Sequence, residues 1–177
     1  APTSEYEENA WKNAREKWPR LQEMELGVPD ITWDEFSRVM DGNVNSDDEF
    51  ERVFHGMAPL YAPSLESFDE SAAEAAAEAT ESRTFHHEPH NVMFTEEYPT
   101  MDYRDALKQI DKPALVTVGR HDWITPPAAS KEIANRLSNA QLVIFEQSGH
   151  SPNFDQQAQY LDRVREFLTA IGHGSDS

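Results

Sequence analysis

Pro113-Ala114-Leu115-Val116-Thr117-Val118-Gly119, followed by Arg120-His121-Asp122-Trp123-Ile124-Thr125-Pro126-Pro127, is the stretch on which the fold turns. Its first seven residues are a short, mostly apolar run of β-type composition ending in glycine, the pattern of a buried parallel strand. Pro127 to Leu137 then reads as a helix with Ile133 and Leu137 on one face. A second strand follows at Gln141-Leu142-Val143-Ile144-Phe145-Glu146. Phe154 to Ile171 closes the unit as a helix in which Leu161, Val164, Phe167, Leu168 and Ile171 recur at helical spacing. Strand–helix–strand–helix with short connections is a βαβα unit, and it implies a parallel sheet. Two strands are too few for an independent sheet, so their apolar faces require partners from elsewhere.

Upstream of this unit, to about Asp111, the chain is acidic and helical in pattern. Glu7 to Trp18 is rich in helix formers. Thr32-Trp33-Asp34-Glu35 fits a capping box ahead of an apolar stripe at Phe36 and Met40, and Ser46-Asp47-Asp48-Glu49 repeats the signature before Phe50, Val53 and Phe54. Ser67 to Ser82 has the Ala-Glu composition of an exposed helix. Pro59, Pro63, Pro89 and Pro99 punctuate the connections. The expectation is several short helices around a modest apolar centre, too small to fold alone.

The 177 residues carry 15 Lys and Arg against 33 Asp and Glu, a net charge of -18. Such a surface repels phosphate backbones and anionic membranes, so neither nucleic acid nor membrane is an expected partner. Solubility or salt adaptation accounts for the acidity more simply than a cationic ligand does. No apolar run approaches the ~20 residues of a bilayer span. The chain has no cysteine, which removes disulfides, thiolate catalysis and Cys-zinc sites and fits a reducing compartment such as the cytoplasm.

The chemistry collects after the two strands, in Gly119-Arg120-His121-Asp122 and in Gln147-Ser148-Gly149-His150-Ser151-Pro152. Loops at the carboxyl ends of neighbouring parallel strands share one edge of the sheet. A carboxylate there can fix the tautomer of an imidazole and stabilise the imidazolium formed when it takes a proton. Gly149 is expected to turn the backbone sharply so that the ring of His150 faces the cleft.

Those residues resemble the end of the α/β-hydrolase fold, where a triad runs Ser, then Asp or Glu, then His along the chain. The run from Pro113 to Leu168 is similar, more closely, to the proline iminopeptidase branch. That branch reads as a G-x-x-D-x-x-x-P-P turn, a strand, S/A-G-H-S/F-P and an amphipathic helix. The resemblance implies that Asp122 is the triad acid and His150 the base. It implies a helical cap over residues 1–111 and the last two core strands with their helices over 112–177.

No serine lies in a G-x-S-x-G elbow. The nucleophile and the oxyanion hole are therefore expected on polypeptide upstream of Ala1, in a second chain cut from the same precursor. The start Ala1-Pro2-Thr3-Ser4 fits an excised fragment, a trimmed leader or such a cleavage.

In the family, cap carboxylates hold the free α-amino group of the substrate. Phe85-His86-His87-Glu88-Pro89-His90-Asn91 resembles the segment concerned, which makes Glu88 a candidate for that amine or else an ordinary surface residue. Pro89 stands where the family often has Asn, and the cap motif Trp-x-x-Trp-Glu has only a loose echo around Trp11 and Trp18. Trp123 either lines the substrate pocket or packs beneath the cap. His86, His87 and His90 have spacings compatible with a metal, but Pro89 is expected to interrupt the helix that would align them. A triad hydrolase needs neither metal nor other cofactor, and none is expected.

The implied activity is acyl-enzyme hydrolysis of an amide or ester, in particular an aminopeptidase or amidase on a small molecule or short peptide with a free amine. An esterase, lactonase or acyltransferase would use the same scaffold. A non-catalytic binding module and an acidic docking scaffold are the readings of a different class.

Overall fold

In the computed structural model residues 4–172 are described, with side chains from Ala10 onward. The chain start at Ala1, with the expectation about its origin, lies outside the described residues. Helix α1 (Ser4–Glu23) runs through Pro19 and is longer than the Glu7–Trp18 segment expected. Proline deletes one backbone donor. Burial of Ala10, Ala14 and Leu21 along one side of the helix favours its continuation.

Helix α2 (Trp33–Met40) starts at the expected capping box: Thr32 N–H donates to the Glu35 carboxylate at 2.8 Å, and Glu35 N–H donates to Thr32 Oγ1 at 3.2 Å. Helix α3 (Asp47–Gly56) is capped by Ser46 Oγ, but Glu49 does not reach back to it. The Glu49 carboxylate instead accepts from Asn45 N–H and Nδ2 and pairs with Arg38, which ties α3 to α2. Arg52 is the only Lys or Arg between Asp41 and Glu81. It pairs with Glu35 and donates to Asp30 O, a second tie between the same helices.

Helix α4 (Ala58–Tyr61), a 3₁₀ turn at Leu65–Ser67 and helix α5 (Glu70–Glu81) follow. The Ala-Glu helix is shorter than the Ser67–Ser82 segment, because Asp69 caps it by accepting from Ala72 N–H. It is also not exposed all round, since Ala73 and Thr80 are buried. Pro89 does not interrupt helix α6 (His87–Val92), contrary to expectation. It occupies the first turn, where its missing N–H would have had no helical partner. A π-helical turn over Met93–Glu97, a 3₁₀ turn over Tyr98–Thr100 and helix α7 (Arg104–Leu107) complete the first region.

Strands β1 (Ala114–Gly119) and β2 (Ala140–Phe145) pair in parallel, Ala114 opposite Ala140 and Gly119 opposite Phe145. Helix α8 (Pro127–Arg136) crosses between them. The closing helix is broken into α9 (Pro152–Asp155) and α10 (Gln157–Ala170), where a single continuous helix from Phe154 to Ile171 was expected. Gln156 leaves helical geometry at φ -130° and ψ 49°, and its side chain and that of Asp155 turn back onto the loop after β2.

The packed core lies mainly in the helical region, which corrects the expectation of a modest centre there. Phe36, Val39, Val44, Val53, Met57 and Leu60 are buried with Trp123 in one cluster that joins the helical region to the loop after β1. The sheet is less enclosed: Leu115 to Thr117 and Leu142 to Ile144 are only half-buried. On α10, Leu161 and Leu168 of the expected apolar stripe are exposed. The described residues thus show a helical region followed by a βαβα unit whose two-stranded parallel sheet has apolar surface on its flanks. Among the described residues no helix is long and apolar enough to cross a membrane.

Candidate active site

Strand β1 delivers Asp122 into a turn that its own carboxylate organises. Oδ1 accepts from the backbone N–H groups of Ile124 (3.1 Å) and Thr125 (2.9 Å), and Oδ2 accepts from Thr125 Oγ1 (2.7 Å). Aspartate favours such a turn because its short side chain can satisfy N–H groups two and three residues on. Strand β2 delivers His150, whose Nδ1 lies 2.9 Å from Asp122 Oδ2. The structure therefore brings together the two residues on which the sequence reading centred.

Burial differs sharply within the pair. The Asp122 side chain is 4% exposed and that of His150 is 39% exposed. A satisfied, buried carboxylate faces Nδ1 while the ring keeps access to solvent. Nδ1–H donates to the carboxylate in the tautomer this implies, which leaves Nε2 free to accept a proton. The hydrogen bond to Asp122 and, less strongly, its negative charge raise the His150 pKa above the ordinary 6.5, against the opposing effect of burial.

The loop glycines act through close approach. Gly149 lies in a bend of the chain, as expected, and takes it without a positive φ. A Cβ there would collide with the backbone of Tyr61 and Ala62, and one at Gly119 would collide with the carbonyls of Ser148 and Gly149. Only glycine lets the two loops and the segment at Tyr61 and Ala62 meet so tightly.

Tyr61 and Thr125 are residues of the site that the sequence reading missed. Tyr61 O accepts the His150 N–H at 2.9 Å. The Tyr61 ring meets the imidazole at 5.3 Å and Trp123 at 5.7 Å between centroids. Burial, with the nearby Asp122 charge, pushes the Tyr61 hydroxyl up to about 12, so it stays protonated at neutral pH. Thr125 stands in the very motif that identified Asp122, three residues on, and that spacing was a usable signal. Nothing local to Tyr61 marks it.

Trp123 is 1% exposed and packs at a tilt against Phe36 of the helical region. It also borders a cavity of ≈ 280 Å³ with Asn13, Lys17, Pro63 and Asp122. Lys17 Nζ and Trp123 Nε1 are buried there without a hydrogen-bond partner among the described residues. Burial pulls the Lys17 pKa down, opposed by the charge of Asp122.

Glu88 is exposed on α6 and makes no hydrogen bond or ion pair among the described residues. Its histidine neighbours have separate roles. His86 and His87 pair with Asp47, while His90 Nε2 bonds Val39 O and the ring lies between Phe50 and Phe94. Trp11 and Trp18 pack with Trp33 around Phe36.

Among the described residues no serine or threonine hydroxyl bonds the His150 ring; Ser148, its neighbour but one, is fully buried and donates to Asp155.

The family model for the alpha/beta hydrolase fold matches residues 53–157, more than half of the chain. The chain is similar to proline iminopeptidase PfmaB of Pestalotiopsis fici, at 32% identity over 168 residues, covering 95% of this chain and 55% of that protein. It is also similar to a pimeloyl-[acyl-carrier protein] methyl ester esterase of Neisseria meningitidis, at 31% over 70 residues, 40% of this chain and 22% of that one. Among solved structures, an alpha/beta fold family hydrolase from Bacillus anthracis superposes with a TM-score of 0.60 and 25% identity, covering 78% of this chain and 49% of that one. The chain thus spans about half the length, or less, of each of these relatives. With the Asp-His pair at the ends of adjacent parallel strands and a sequence match that runs through both, the chain belongs to the alpha/beta hydrolase fold family.

Proposed function

We propose that this protein supplies the acid–base half of a serine-type hydrolase that cleaves an amide or ester through an acyl-enzyme. The observation that carries the reading is the 2.9 Å bond between the buried Asp122 carboxylate and the accessible His150 ring. In this mechanism a serine outside residues 1–177 attacks the carbonyl, with His150 Nε2 accepting its proton. His150 then returns that proton to the leaving group, and repeats both roles with water in deacylation. Asp122 holds the ring in the required tautomer and stabilises the imidazolium. Backbone N–H groups near the nucleophile stabilise the oxyanion.

The nucleophile and oxyanion hole belong, in this reading, to a second chain from the same precursor. The lack of a G-x-S-x-G elbow and the incompletely covered sheet both support placing them outside residues 1–177. The preferred substrate is a small molecule or short peptide with a free amine, in keeping with the likeness to a proline iminopeptidase. Likeness to a methyl ester esterase favours ester cleavage as the second reading.

The test is the pH dependence of turnover of an activated ester and an aminoacyl anilide by the native assembly. A general base must be neutral, and Asp122 raises the His150 pKa. The acid limb of kcat/KM is therefore expected to have its midpoint above 6.5 and to move to lower pH in Asp122→Asn. Absence of turnover on both substrates, with all chains present and folded, would favour a binding module.

A separate measurement addresses the amine. Glu88→Gln is expected to weaken free-amine substrates about tenfold or more while sparing N-blocked ones, because a charge-assisted bond of ~1.5–3 kcal/mol is lost. Equal effects on the two substrate sets would remove Glu88 from the amine site.

A further inference from the structure

We propose that Asp155 is a positioning residue for His150, acting through Ser148 and Gly149; the proposal rests on the reading of His150 as the base. Its basis is the way the loop after β2 is held. Every backbone N–H from Gln147 to His150 has an acceptor. Gln147 donates to Gln156 Oε1 (2.9 Å), Ser148 to Phe145 O (3.3 Å), Gly149 to Asp155 Oδ2 (2.8 Å) and His150 to Tyr61 O (2.9 Å). The same Asp155 oxygen accepts Ser148 Oγ–H at 2.7 Å. One carboxylate oxygen thus holds two consecutive residues immediately before the base.

The geometry leaves those groups few alternatives. Ser148 is fully buried, and its carbonyl accepts His121 N–H from the turn that carries Asp122. Removing the acceptor at 155 strands the Gly149 amide N–H and leaves the buried Ser148 hydroxyl only a long contact to Gly149 O at 3.4 Å, which costs more than a missing contact because buried donors lose good hydrogen bonds. The loop then relaxes toward water, and His150 moves with it. Asp122 stays, because its own turn fixes it. The broken helix gains a reason from this: α9 is a single turn begun at Pro152 that sets Asp155 and Gln156 against the loop, and α10 starts afresh afterwards.

Acceptance, and not charge, is what the arrangement uses. Asparagine at 155 keeps one oxygen that can take both donors, whereas alanine keeps none. The experiment compares Asp155→Ala, Asp155→Asn and Ser148→Ala in two measurements. One is kcat and KM of the native assembly on the activated ester. The other is the downfield Nδ1 proton of His150 by NMR in the native assembly, which requires no turnover.

Asp155→Ala is expected to lower kcat about 10²-fold with KM little changed, the scale of an ångström-sized misplacement, and to shift or erase the Nδ1 proton. Asp155→Asn is expected to keep most of both. A folded Asp155→Ala chain with its Nδ1 proton and kcat unaltered overturns the proposal, as does an Asp155→Asn variant that loses as much as Asp155→Ala. Should Asp155→Ala fail to fold, Ser148→Ala, which deletes one of the two bonds, decides by whether the Nδ1 proton moves; if it does not, the proposal falls. Failure of the hydrolase reading has a different signature, an active His150→Ala variant, and leaves the proton measurement intact.

Discussion

His150→Ala is expected to reduce turnover of an activated ester by about five to six orders of magnitude, leaving only the residual rate that an oxyanion hole and substrate binding provide. The size follows from the arrangement: the imidazole is the one accessible basic group bonded to the buried carboxylate at the ends of the two strands. Neither Ser148 nor Tyr61 can replace it. The first is enclosed and bonded to Asp155, and the second holds its proton up to about 12. The measurement is steady-state kinetics on the native assembly, with circular dichroism to verify that the variant folds. A folded variant within tenfold of the parent rate would end the mechanism.

Phe36→Ala is expected to cost ~3–5 kcal/mol of stability, read as a lower urea midpoint with an unchanged m-value. Phe36 is completely buried, and four tryptophans surround it: Trp11, Trp18, Trp33 and Trp123, at 5.1–6.0 Å between centroids. Rigid rings from separate elements cannot close over a vacated phenyl without breaking their packing on one another, so relaxation recovers little. Trp123 also follows Asp122 directly in the chain. The variant should accordingly lose activity as well as stability. A loss below 1 kcal/mol would show that the aromatic cluster repacks and is not what anchors the helical region.

The βαβα unit was legible because its signals are local. Apolar runs bounded by glycine and proline fix the strands, and Asp122 and His150 each follow a strand directly. The box at Thr32 is equally local, its donor and acceptor three residues apart. Misreadings occurred where distant groups compete for the same atoms. Glu49 forgoes its cap for Asn45 and Arg38, and the closing helix breaks because Asp155 and Gln156 bond the loop after β2. Gly149 was singled out for its bend, whereas what forbids a side chain there is backbone 88 positions upstream at Tyr61. Pairings at such separations leave no periodicity or spacing in a single sequence. Tyr61 itself was invisible for the same cause: its decisive atom is a main-chain oxygen, which any residue could supply.

The bond from His150 N–H to Tyr61 O has a mechanical consequence. The backbone that carries the imidazole is pinned to α4 at one point, so displacing α4 either breaks that bond or draws the ring away from its carboxylate. In the proposed mechanism such an excursion leaves the base out of line until the bond re-forms. Slow exchange of the His150 amide hydrogen would time those excursions directly.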